Sequence, residues 1–260
     1  MEVTLAQGIW IAIMAFICGI DFSLEAFFWF RPIIAAFFTG IILGDVQLGL
    51  AAGAITELAY VGLLTIGGTV PPNPLMAGIM TVIIAYTTGS SPEAALALSL
   101  PFALLMQWIN IFYHSAFSVF LVPVLDRKAA EADTNGFTRA VILGAIIVGL
   151  TYAVVTFVSA YVAQEPIARF VTSFPTWFVH GFEICGQLLP GVGLALLLRT
   201  MLTGDNAPFL FIGFLMATYL ELGNVLPVAI AGTVAAVLVY KSEKKSAQLR
   251  TEGGGPDEGI

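Results

Sequence analysis

Between Ala140 and Ala163 the chain runs for 24 residues without one charged side chain. Wound as a helix, such a run is about 36 Å long, enough to cross the roughly 30 Å hydrocarbon layer of a bilayer. Only helices and closed barrels cross lipid, because there the backbone must bond to itself. A run this long reads as helix rather than as the ten-residue alternation of a barrel strand. The rest of the composition agrees, since 10% of the residues are charged and 58% are hydrophobic, against about 25% charge in soluble domains. The expected fold class is therefore an all-α polytopic membrane protein.

The other apolar segments are less regular. Val3–Ile20 leads into the aromatic stretch Asp21–Pro32, which holds Asp21, Glu25 and Arg31 and suits a hairpin lying partly at headgroup depth. Ile33–Gly44 and Leu48–Gly68 are short, and the second is interrupted by glycine. Paired short or broken apolar segments point to re-entrant helices around a transporter site. Leu75–Thr88 and the run Ala94–Leu125 follow, the latter expected to kink or break at Pro101. Asp126–Arg139 is a polar loop. Phe174–Met201 is a further helix, and Phe209–Tyr240 is either two passes or one broken helix around Gly223, Asn224 and Pro227. Residues 1–240 form the membrane domain in this reading, and the charged, Gly-rich 241–260 a disordered tail. Lysines near the C-terminus and Arg127, Lys128 and Arg139 in the central loop each favour the cytoplasmic side. Both hold only if an even number of crossings separates them.

The N-terminus lacks the basic region of a cleavable signal, so the first segment is expected to be retained. Cys18 and Cys185 sit among apolar residues and read as small buried hydrophobes. No basic stripe, phosphate loop, zinc-binding pair or nucleophile elbow occurs. Nucleic-acid binding, covalent catalysis, a resident metal and a cofactor are accordingly not expected.

Glu57 is the informative exception. A carboxylate at membrane depth costs about 2.5–3.5 kcal/mol on insertion scales and normally faces a bundle interior or a wet cavity. The polar groups in apolar segments are few, and Glu57, Asn73 and Gln107 are the preferred cargo contacts, with Thr65, Thr69 and Gln7 as further candidates. A sugar suits this set, since a carboxylate accepts from hydroxyls while amides both donate and accept. A cation site wants several converging carboxylates or carbonyls, and a proton-coupled carrier wants acid–base chains. An ion-coupled secondary transporter and a receptor-like membrane subunit both remain open on the residues alone. His114 and Glu183 read as packing residues.

Several motifs together resemble the IIC subunit of mannose-family bacterial phosphotransferase systems, from the N-terminus to about Tyr240. They are Gly19-Ile-Asp-Phe22, Phe30-Arg-Pro-Ile-Ile34, Gly40-Ile-Ile-Leu-Gly-Asp45, Thr56-Glu-Leu58, Gly67-Gly-Thr-Val-Pro-Pro-Asn-Pro74 and Leu100-Pro-Phe-Ala-Leu-Leu-Met-Gln107. The Pro-Pro-Asn-Pro loop and His180-Gly-Phe-Glu183 look most like the branch specific for N-acetylgalactosamine. The resemblance implies a sugar permease of the bacterial cytoplasmic membrane, paired with a IID subunit as a trimer of IIC–IID pairs. Soluble IIA and IIB carry the phosphoryl group, so the IIC chain is not itself an enzyme. A mobile core moving against a scaffold, elevator fashion, is also implied, with the sugar-contacting carboxylate at Glu57. Mannose-type members have Asn and Asp where this chain has Thr65 and Asn73. The difference makes those positions candidates for reading an axial hydroxyl or an acetamido group.

Overall fold

A computed structural model describes residues 2–63, 71–220 and 224–253, all helix and connecting turns. Among these residues the α-helices are α1 (Leu5–Leu24), α2 (Pro32–Leu43), α3 (Val46–Tyr60), α4 (Pro74–Thr88), α5 (Pro92–Ala130), α6 (Thr134–Phe157), α7 (Gln164–Thr172), α8 (Thr176–Met201), α9 (Ala207–Tyr219) and α10 (Leu226–Gly253). A π-helical turn, Val158–Val162, extends α6. Among the described residues five helices are long and apolar enough to cross a bilayer: α1, α5, α6, α8 and α10. The chain divides into two compact units, Met1–Arg199 and Thr200–Ile260.

In the first unit, α1 lies against α6, α2 against α3, and α4 against α5. α4 sits at the centre, with every residue from Leu75 to Ala85 buried. Outward faces carry large apolar side chains such as Trp10, Trp108, Phe112 and Leu150, as lipid contact requires. Helix ends follow local chemistry. Thr4 and Gln7 form a capping box at α1, in which the Gln7 N–H donates to Thr4 Oγ1 (3.3 Å) and the Thr4 N–H to Gln7 Oε1 (2.9 Å). Gly44 (φ 84°) and Gly89 (φ 71°) end α2 and α4 in the left-handed conformation. Asp133 caps α6, and the Gly136 N–H and Lys128 hold its carboxyl below the usual range.

Two short helices meet at a close crossing. A Cβ at Gly40 would come within 2.8 Å of Gly49 Cα, and one at Gly49 within 2.8 Å of the Ala36 carbonyl oxygen. One turn further along α3, a Cβ at Gly53 would meet Ala36 Cβ at 2.9 Å and Ile33 Cα at 3.1 Å. Such small-residue seams let membrane helices approach backbone to backbone. Here the seam brings the amino end of α2 onto α3.

Three expectations need correction. α5 runs unbroken through Pro101 and Pro123, because a long helix with packed neighbours tolerates losing one backbone donor. Asp21 is buried, not interfacial; its carboxylate accepts from the Phe27 N–H (2.8 Å) and the Trp29 N–H (2.6 Å), organising the turn into α2. Cys185 is exposed on α8, while Cys18 is buried as expected. In the second unit Phe209–Tyr240 resolves into α9 and α10, and α10 extends through Lys241 to Gly253. Lys, Glu, Ala, Gln, Leu and Arg in that stretch are good helix formers.

Candidate functional site

α3 places Glu57 facing the amino end of α2. Its Oε1 accepts from Arg31 Nε (2.7 Å) and also from Arg31 Nη2, and its Oε2 accepts a longer bond from the Ile33 N–H (3.3 Å). The pair is partly buried, with side-chain exposures of 34% for Arg31 and 21% for Glu57. This answers how a carboxylate is kept at this depth: a guanidinium fork neutralises one oxygen and fixes its direction. A carboxylate offers about four acceptor sites, so Oε2 retains capacity for a further donor. Arg31 was not singled out from the sequence. The signal was available, since a cation and an anion each isolated in apolar surroundings are expected to pair.

Asn73 caps α4, its Oδ1 accepting from the Met76 N–H (2.9 Å). Its own N–H donates to the Ala103 carbonyl of α5 (3.0 Å). The side-chain Nδ2 donates to the Tyr152 hydroxyl of α6 (2.5 Å), which also accepts from Asn110 Nδ2 of α5 (2.8 Å). All three residues are buried. This triad ties α4, α5 and α6 together near the middle of the bundle. One of the two Nδ2 hydrogens of Asn73 remains for another acceptor. Gln107 is half-buried on α5, between Ala103 and Asn110, so the structure brings Asn73 and Gln107 into one neighbourhood. Thr65 and Thr69 lie outside the described residues.

Gln7 does not join them. Besides its capping role, its Nε2 donates to the Ile42 (3.3 Å) and Leu43 (3.5 Å) carbonyls at the carboxyl end of α2. Glu57 is bonded at the opposite end of that helix, about 15 Å away along the axis at 1.5 Å per residue. The Thr4–Gln7 spacing signals a capping box, and that is the role the geometry gives it. Glu221 lies outside the described residues, and Asn224 accepts from the Leu226 N–H (3.1 Å). His114 Nδ1 lies 2.8 Å from the Asn110 carbonyl. Among the described residues no cluster of His, Cys, Asp and Glu has metal-binding form.

The triad makes a prediction. Tyr152→Phe leaves two buried amide donors without their acceptor, and each stranded group costs about 1–3 kcal/mol. The thermal unfolding midpoint of the purified protein is expected to fall by several degrees. An unchanged midpoint would mean that the amides find other acceptors.

An all-helical membrane fold with short paired helices and a held carboxylate inside defines a solute-transport subunit. Comparison with known proteins supplies the rest. The family described as "PTS system sorbose-specific iic component" matches residues 5–238, and the chain belongs to it. It is 46% identical over 251 residues to "N-acetylgalactosamine permease IIC component 1" of Escherichia coli (strain K12), covering 96% of this chain and 94% of that one. It is 27% identical to the "PTS system mannose-specific EIIC component" of the same strain, over 94% and 92% of the two chains. Among solved structures, one titled "Structure of membrane protein" matches with a TM-score of 0.78 at 27% identity, over 92% of this chain and 97% of the other. The mannose transporter ManYZ, solved with microcin E492, matches with a TM-score of 0.58 at 27% identity, over 93% and 97%. The chain is a sugar-translocating IIC subunit of a phosphoenolpyruvate-dependent phosphotransferase system. It is a multi-pass protein of the bacterial inner membrane and does not itself transfer the phosphoryl group.

Proposed function

We propose that the cargo is N-acetylgalactosamine and that Glu57, Asn73 and Gln107 hold it, with Thr65 and Thr69 as further contacts. The observation that carries the choice of sugar is the 46% identity, across nearly the whole chain, to a permease component named for it. For the contacts, the support is geometric. Arg31 keeps the Glu57 carboxylate aimed while Oε2 stays able to accept a sugar hydroxyl, and Asn73 keeps one amide hydrogen that suits an acetamido carbonyl. Hydrogen bonds lost by the sugar on leaving water are replaced in the site. Phosphorylation on the far side then removes the transported species, which makes import irreversible.

In this reading the chain pairs with a IID subunit, as a trimer of IIC–IID pairs, and delivers sugar to IIB, which IIA recharges. The α2–α3–α4 group moves as a core against a scaffold in elevator fashion. His180, Glu183 and Gln187 support a protein neighbour on α8. They recur at helical spacing roughly 100° round α8 from Gly186 and Gly193, the glycines that pack on Glu93 and Leu58. Gln187 is exposed in the middle of a membrane-spanning helix, where lipid is a poor neighbour for an amide. His180 and Glu183 also border an open cavity of about 420 Å³ with Thr88, Ser90 and Phe174.

The test is phosphoenolpyruvate-dependent uptake in cells without their own transport of these sugars, with the partner subunits supplied. N-acetylgalactosamine is expected to enter at least tenfold faster than mannose or sorbose. Equal rates for mannose would overturn the choice of sugar.

A further inference from the structure

Among the described residues, one buried side-chain oxygen has no hydrogen-bond partner: the hydroxyl of Tyr60. The residue is 4% exposed and packs in an apolar cluster with Ala59, Ala77, Leu96 and Ala103. Neighbouring buried hydroxyls are all satisfied. Thr56 donates to the Ala52 carbonyl, Thr81 to the Ala77 carbonyl and Ser99 to the Leu96 carbonyl, each at 2.7 Å. A tyrosine ring is too long to bond back onto its own helix in this way, so its hydroxyl is stranded. Phenylalanine would fill the same space without leaving a polar atom unpaired, which is the costly arrangement in a buried site.

The place of this hydroxyl gives it a use. Tyr60 follows Glu57 by three residues, so the two Cβ atoms are neighbours on α3, about 5–6 Å apart. Its cluster partner Ala77 lies in the first turns of α4, which Asn73 caps. Another member of the cluster, Ala103, offers the carbonyl that accepts the Asn73 N–H. The stranded phenol thus sits in the neighbourhood of the carboxylate and amide assigned to the sugar.

We propose that Tyr60 is a further cargo-contacting residue, whose hydroxyl bonds a sugar hydroxyl or acetamido oxygen when the site is filled. The proposal rests on the reading of this region as the sugar site. The empty subunit tolerates the stranded group because the occupied one satisfies it. A phenol both donates and accepts, so it suits a hydroxylated ligand better than a cation.

Tyr60→Phe tests this in the IIC–IID complex, purified in lipid nanodiscs. Binding of N-acetylgalactosamine, mannose and sorbose is titrated calorimetrically, and the thermal midpoint is measured without sugar. The expected result is affinity for the bound sugar weakened roughly three- to tenfold, the worth of one neutral hydrogen bond. The sugar-free midpoint should be equal to or above that of the parent. Unchanged affinity overturns the proposal. So does a lowered sugar-free midpoint, because the hydroxyl would then have a partner in the empty protein. Glu57→Gln, titrated alongside, separates the two assignments. Loss of binding there with full binding by Tyr60→Phe keeps the carboxylate and removes the phenol; the reverse keeps the phenol and removes the carboxylate.

Discussion

Glu57→Gln is expected to abolish measurable sugar uptake while the subunit still inserts in the membrane and assembles with its partners. Glutamine preserves the shape and removes the charge, so the loss is electrostatic. Hydrogen bonds to a charged group are worth about 1.5–3 kcal/mol, and the sugar's affinity should fall roughly tenfold to a hundredfold. The substitution also leaves the Arg31 guanidinium without its counter-charge, and breaking a buried pair on one side is destabilising in itself. The doubly substituted Arg31→Gln, Glu57→Gln chain distinguishes the two effects. It removes both charges, so a carboxylate needed only for pairing would allow uptake to return. A carboxylate that contacts cargo would not. Normal uptake by Glu57→Gln alone, measured with radiolabelled sugar, would end the assignment of this residue to the site.

The second large effect is expected at a residue that touches no sugar. Gly53 lies where α3 meets the first turn of α2, and any Cβ there meets Ala36 and Ile33 at about 3 Å. Gly53→Val drives the helices apart at the point where Arg31 and the Ile33 N–H reach Glu57. Overpacking of this kind costs about 1–3 kcal/mol of stability, and uptake should fall tenfold or more because the carboxylate loses its orientation. Ala51→Val, on the exposed side of the same helix, is the matched control and should transport normally. Equal uptake by the two variants would show that the seam does not position the site.

Much of this was legible in the sequence, and the reasons for the exceptions are physical. The Ala140–Ala163 run, the brevity of α2 and α3 and the stop at Gly89 are local properties, written in composition and in the glycine that a left-handed cap needs. Glu57 was legible because a charge in hydrocarbon is rare. Tyr152 was not. It looks like any aromatic in an apolar helix until Asn73, 79 positions away, and Asn110 are brought onto its hydroxyl. Asp21 was read as interfacial because its neighbours are aromatic. Its real environment depends on a turn whose backbone N–H groups fold back onto it. Gln7 is the opposite case: its capping signal is local and visible in the Thr4–Gln7 spacing, and the structure shows it in that role. The orphan Tyr60 hydroxyl could not be seen at all, since a missing partner is a property of three dimensions.

The unbroken α5 has a consequence for the order of events in import. From Asn110, in the polar triad, to Ala130, at the polar corner before α6, the helix runs on by twenty residue steps without a break. At 1.5 Å per residue the span is about 30 Å. A soluble phosphate donor resting at that corner would stand several side-chain lengths from anything lodged among the amides. With cargo held among those amides as proposed, it would have to travel toward that corner before a donor there could tag it.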